Sequence, residues 1–258
     1  MLGSIVGDYL GSVHEFHAPK RKDFVLLDPR CTVTDDSILT LAVAEWLMDG
    51  CDLATRFHAL VAEFPSAGWG GMFLSWARSQ SREPYNSYGN GAAMRVAPVG
   101  WAFASLEETL EAAAASSRVT HDHPEGIKGA EATAAAVFLA RTTHDKDLIR
   151  DEITRRFGYD LGRSLEAIRP AYGFDETCQR TVPEAITAFL EANDFEDAVR
   201  NAISLGGDAD TLACIAGGIA HAYFGTIPLE LATPALRAVP ASLSSIWPRF
   251  QERHAVPV

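Results

Sequence analysis

Apolar residues recur at helical spacing along most of the chain. In "DDSILTLAVAEWLMDG", Ile38, Leu41, Val43, Ala44, Leu47 and Met48 mark one face, and Gly50 supplies a C-terminal stop. "HPEGIKGAEATAAAVFLAR" opens on Pro124, suited to a first helical turn, and continues in alanine. "SLEETLEAAAASS", "VPEAITAFLEAND" and "FEDAVRNAISLGG" carry the same period, the last ended by Gly206 and Gly207. Strand-like alternation is scarce, and "DFVLLD" (23–28) is its best and very short example. The pattern predicts one all-α domain spanning residues 1–258, with about ten or more short helices. No repeat, low-complexity tract or Pro/Ser-rich linker divides it.

Small residues refine that picture. Gly3, Gly7 and Gly11 stand four apart on one face of a first helix, and Ala213, Gly217 and His221 do the same near the C-terminal third. Glycine inside a helix costs about 1 kcal/mol against alanine, so such stripes point to close helix–helix approach. Packing of that kind would bring Asp8 and Glu15 near Asp208 and Asp210.

Composition excludes more than it selects. Acidic residues outnumber basic ones, 34 to 22, for a formal charge of -12, which argues against a surface built for nucleic acid or anionic membranes. A small anionic ligand remains compatible, because a local cation can reverse the sign of a site. Cys31, Cys51, Cys178 and Cys214 are too widely spaced for a CxxC motif, which fits a reduced intracellular protein. "MLGSIVGDYLGSVHEF" lacks a basic n-region, and no apolar run approaches membrane length. A cytoplasmic protein acting as a monomer is the expectation.

The candidate chemistry lies in two acidic segments. In "CTVTDDSILTLA", Thr34 is an N-cap candidate with Asp35 and Asp36 in the first turn, where the backbone dipole favours negative charge. "GGDADT" repeats the arrangement with Asp208, Asp210 and Thr211. Capping does not require paired carboxylates at two helix starts. Two such ends facing each other would repel unless cations lay between them. Carboxylate and hydroxyl oxygens are hard ligands of the kind Mg²⁺ or Mn²⁺ accepts, and these six residues supply about the donors of a two-metal site.

Taken together and in order, "GDYLGSVHE", "TDDS", "SYGNGAAMR", "THDHPEGIKGA" and "GGDADTLACIAGGIAHAYFG" resemble the ADP-ribosylglycohydrolase family, which includes dinitrogenase-reductase-activating glycohydrolase and the ADP-ribosylhydrolases. The resemblance runs from residue 3 to about 228. It implies an all-α orthogonal bundle with two Mg²⁺ or Mn²⁺ ions held by Thr34, Asp35 and Asp36 on one side and Asp208, Asp210 and Thr211 on the other. It also implies that Ser87, Gly89, Asn90 and Gly91 cradle the diphosphate and distal ribose of ADP-ribose, that Tyr88 stacks on adenine, and that His121 lies beside the diphosphate. Glu15 and Asp36 are the implied catalytic carboxylates.

The implied substrate is ADP-ribose attached to a protein or small molecule, and the linkage stays open. Arginine-specific bacterial relatives often carry an acid where Ser87 stands, so "SYGNG" looks closer to members that cleave O-linked serine or O-acetyl-ADP-ribose. Ser37 replaces the threonine usual in "TDDT". Rival readings are an inert, crystallin-like binding member and a phosphohydrolase using His121-Asp122, which would leave "GGDADT" without a role.

Overall fold

A computed structural model describes residues 1–17, 19–79 and 81–257. In chain order the helices are α1 (Leu2–Gly11), α2 (Asp35–Asp49), α3 (Leu53–Glu63), α4 (Gly71–Arg78), α5 (Gly91–Met94), α6 (Val99–Ala102), α7 (Leu106–Arg118) and α8 (Pro124–Thr143). They continue as α9 (Lys146–Phe157), α10 (Leu165–Ile168), α11 (Cys178–Leu190), α12 (Phe195–Ser204), α13 (Ala209–Phe224), α14 (Leu229–Ala238) and α15 (Ile246–His254). The fold is all-α. Among the described residues the one β-type pairing is an isolated bridge between Gly89 and Thr177.

Local signals set most boundaries. Thr34 caps α2, accepting from the Asp36 amide at 3.3 Å, and Gly50 ends it in the left-handed region. Ser105 and Glu108 form a reciprocal capping box on α7. His123 caps α8 ahead of Pro124, accepting from the Glu125 amide at 3.1 Å. Helix α11 begins at Cys178, four residues before the periodicity of "VPEAITAFLEAND" suggests, and holds Pro183 within it. "DFVLLD" forms no strand: Leu26 is buried while Val25 and Leu27 face outward, and no segment among the described residues pairs with it.

The two small-residue stripes meet. A methyl group at Gly7 would collide with the Ala213 carbonyl, and one at Gly11 would lie 2.5 Å from the Asp210 Cα. One at Gly217 would lie 2.5 Å from the Gly3 carbonyl oxygen. Helices α1 and α13 therefore touch backbone to backbone, and the dispersion gained along that seam offsets the helical cost of the glycines. Helix α13 also packs on α8, α11 and α12, so it runs through the core. Before it, Gly206 turns the chain at φ 73, a conformation that costs other residues energy. The seam and this turn place the start of α13 beside the end of α1 and the start of α2.

Candidate active site

All residues nominated from the sequence line one cavity of about 620 Å³. Its acidic wall is built first from α1. Asp8 is fully buried and reaches the start of α2, where it accepts from the Thr34 amide at 3.0 Å, the Thr34 hydroxyl at 2.7 Å and the Ser37 amide at 3.1 Å. The Ser37 hydroxyl donates to it as well. One carboxylate thus caps α2 from outside and holds Thr34, Asp35 and Asp36 in place. The sequence reading put Asp8 near Asp208 and Asp210 without assigning it this support. Its partners are set by the crossing of α1 and α2, which no local pattern encodes.

The start of α13 faces this wall. Asp208 occupies the N-cap position without capping the helix, and its Oδ2 accepts from the Asn90 amide nitrogen at 2.7 Å. Asn90 also donates to the Thr181 hydroxyl at 3.2 Å, so it props Asp208 against α11. Asp210 Oδ1 accepts from the Thr211 amide at 3.0 Å. Across the gap, the Thr211 hydroxyl donates to Asp36 Oδ1 at 3.3 Å, tying the two acidic ends together. Asp36 Oδ2 is buried and has no hydrogen-bond partner.

Glu15 closes the cluster from the turn after α1. One carboxylate oxygen each from Glu15, Asp208 and Asp210 lie within 4.8 Å of one another. Burial, then the neighbouring carboxylates, pushes Asp35, Asp36 and Asp210 well above the usual range. Burial, followed by the charges of Asp208, Glu176 and Asp8, raises Glu15 to about 7. Oxygen donors at this density, with a buried carboxylate oxygen left unpaired, fit a hard divalent cation.

The opposite wall is the "SYGNG" turn. It is tied to the start of α11: the Asn90 amide donates to the Glu176 carbonyl at 2.7 Å and the Cys178 amide to the Tyr88 carbonyl at 2.9 Å. The Ser87 hydroxyl accepts from the Gly89 amide at 3.1 Å, which tightens the turn. A methyl group at Gly91 would sit 3.2 Å from His121 Nε2, so glycine lets the imidazole lie against the backbone. Burial, then the charge of Arg95, pushes His121 well below its ordinary value, and the ring is neutral. Tyr88 is 47% exposed on the rim, its ring 5.1 Å from that of His123. Asp122 is exposed and accepts from the Asn86 amide at 2.7 Å, a turn-bracing role away from the buried acids.

The sequence reading did not nominate several lining residues. Phe174, Glu176 and Arg95 face the same cavity, and exposed Phe16 stacks on Phe174 with ring centroids 5.6 Å apart. Phe174 and Glu176 lie outside the acidic and glycine motifs, and Arg95 ends the "SYGNGAAMR" motif without a role assigned to it there.

An all-α scaffold with two acidic helix starts facing a glycine turn defines a hydrolase-type site with the donors for divalent cations. A family model described as ADP-ribosylglycohydrolase matches residues 1–246, and the chain belongs to that family of hydrolases. The mouse ADP-ribosylhydrolase ARH3 is 27% identical, with 87% of this chain and 82% of that protein covered. The Pseudomonas putida (strain GB-1) ADP-ribosylarginine hydrolase Tri1 is 26% identical, covering 87% of this chain and 69% of that one. A solved structure titled "ADP-ribosylglycohydrolase-related protein complex" superposes with a TM-score of 0.73 at 26% identity, covering 98% of this chain and 95% of that chain. No helix among the described residues is long and apolar enough to cross a membrane.

Proposed function

We propose that this chain is a divalent-metal-dependent ADP-ribosylhydrolase that cleaves the bond between C1 of the distal ribose and an acceptor. The observation that carries the reading is Asp36: one carboxylate oxygen meets Thr211 from the opposite helix start, and the other is buried and unpaired. Thr34, Asp35, Asp36, Asp208, Asp210 and Thr211 would hold two Mg²⁺ or Mn²⁺ ions, which when bound supply Lewis-acid charge to the ribose hydroxyls and to water.

The chain's own groups supply the rest. Glu15 takes a proton from the incoming water as its oxygen bonds to C1 and the C1–acceptor bond breaks, and returns that proton to the departing acceptor atom. Asp36 is the second candidate for that proton. The glycine turn and His121 receive the diphosphate, and Tyr88 on the rim offers a face to adenine. Ser87, where an acid would meet a guanidinium, favours O-linked serine or O-acetyl-ADP-ribose, with N-linked arginine as the other linkage to assay.

The test is release of free ADP-ribose from arginine-, serine- and O-acetyl-linked substrates with Mg²⁺ or Mn²⁺ present. Release from at least one, abolished by chelation, is expected. No release from any of them while metal is bound would overturn the reading.

A further inference from the structure

Arg95 is fully buried at the floor of the cavity, four residues beyond Gly91. Its guanidinium lies 4.7 Å over the Phe57 ring and forms no ion pair with a carboxylate among the described residues. Only Nη2 is engaged, donating to the Ser116 carbonyl at 3.1 Å and the Thr120 hydroxyl at 2.8 Å, while Nε and Nη1 are buried and unpartnered. A buried cation without a counter-ion is expensive, and packing alone gives no reason for one beside a ligand cavity.

The contact to Thr120 has a directional consequence. An arginine nitrogen can only donate, so Thr120 Oγ1 is an acceptor toward Arg95. The same hydroxyl lies 2.7 Å from His121 Nδ1, and no other acceptor within the described residues bonds its hydrogen. The hydroxyl therefore donates to Nδ1. A neutral imidazole whose Nδ1 accepts carries its hydrogen on Nε2. That nitrogen lies against the turn, 3.2 Å from where a methyl on Gly91 would sit and 3.6 Å from one on Gly89.

We propose that Arg95 is a positioning residue which, through the Thr120 hydroxyl, holds His121 as an Nε2–H donor aimed at an anionic oxygen seated on the 89–91 turn. An acid-lined protein thereby presents a fixed donor and a nearby positive charge at the end of the cavity that receives a diphosphate. The identity of that anion as the diphosphate of ADP-ribose rests on the functional reading above; the relay itself does not.

The relay is tested without ligand by ¹⁵N spectroscopy of histidine-labelled protein, comparing wild type, Thr120→Ser and Thr120→Val. Wild type and Thr120→Ser should show His121 protonated at Nε2 and unprotonated at Nδ1; Thr120→Val should lose that preference. ADP-ribose affinity should fall about tenfold in Thr120→Val and return in Thr120→Ser, as expected for a donor to a charged group. Arg95→Lys should weaken ADP-ribose in the same direction, and the Thr120 pair decides the matter if that variant does not fold. Nδ1 protonation in the wild type, or an unchanged tautomer and unchanged affinity in Thr120→Val, would overturn the proposal. A wild type that keeps the Nε2–H tautomer but binds no ADP-ribose would count against the functional reading alone.

Discussion

The seam between α1 and α13 has a closed end and an open end, and they differ in the charge of the polar groups they bury. At the closed end His221 is fully buried, its Nε2 donating to the Pro257 carbonyl at 3.0 Å and its ring 5.8 Å from that of Trp101. Burial there, then the N-terminal amine, pushes its pKa down to about 3, so the group is simply neutral. At the open end the same two helices, joined by α2, bring Asp8, Glu15, Asp36, Asp208 and Asp210 together, and none of these carboxylates forms an ion pair among the described residues. Asp8 spends its oxygens on four donors, yet Asp36 keeps one oxygen unpaired. The closed end also leaves an atom unpartnered, His221 Nδ1, but that atom belongs to a neutral ring. The open end instead gathers buried carboxylates that repel one another, and that difference in charge locates function on an otherwise continuous seam.

The most damaging change should be Gly7→Ala, which breaks both ends at once. Its methyl group meets the Ala213 backbone, which cannot rotate away, so about 3 kcal/mol of stability should be lost with cation binding. Denaturant unfolding checks the first loss, and a stability equal to wild type would show the seam to be looser than described.

Next comes Asp210→Ala, which should separate the ends. Activity should fall about 100-fold or more while circular dichroism retains the helical signal. Full activity in this variant would remove Asp210 from the ligand set. Asn90→Ala withdraws only the prop beneath Asp208, so a loss of about tenfold is expected in the same assay.

Much of this was legible in the chain because each signal carries a local cost. Glycines at Gly3, Gly7 and Gly11 would weaken α1 unless something approached closely, so their spacing announced a partner helix. Thr34-Asp35-Asp36 and Asp208-Ala209-Asp210-Thr211 read as helix starts because caps and dipoles favour those residue types there. Other features have no local signature. Asp8 serves α2 only because two helices cross, and Arg95 meets Thr120 only because α5 packs near the end of α7. Asn90, in a turn motif, has its amide on Asp208, a contact made across 118 residues of sequence. "DFVLLD" misleads for the matching reason: alternation proposes a strand, but pairing needs a neighbour, and none of the described residues pairs there.

The smallest expected effect belongs to the closed end. His221 has a folded value near 3, below the ordinary 6.5, so its contribution to stability is complete above about 6.5 and lost as pH falls toward 3. His221→Gln keeps a donor for the Pro257 carbonyl and removes the titration, so the loss of stability between neutrality and about pH 5.5 should shrink by about 1 kcal/mol. An unchanged pH slope would mean that this histidine is not the buried neutral group described, and activity at neutral pH should stay as in the wild type.

The central claim is that the acidic starts of α2 and α13 form one cation site. Calorimetric titration of chelator-treated protein with Mn²⁺, in wild type and Asp36→Asn, tests it most directly. Saturable binding of two ions per chain, weakened by Asp36→Asn with the fold intact, is the predicted result. No binding to the wild type, or binding that Asp36→Asn leaves untouched, would contradict it.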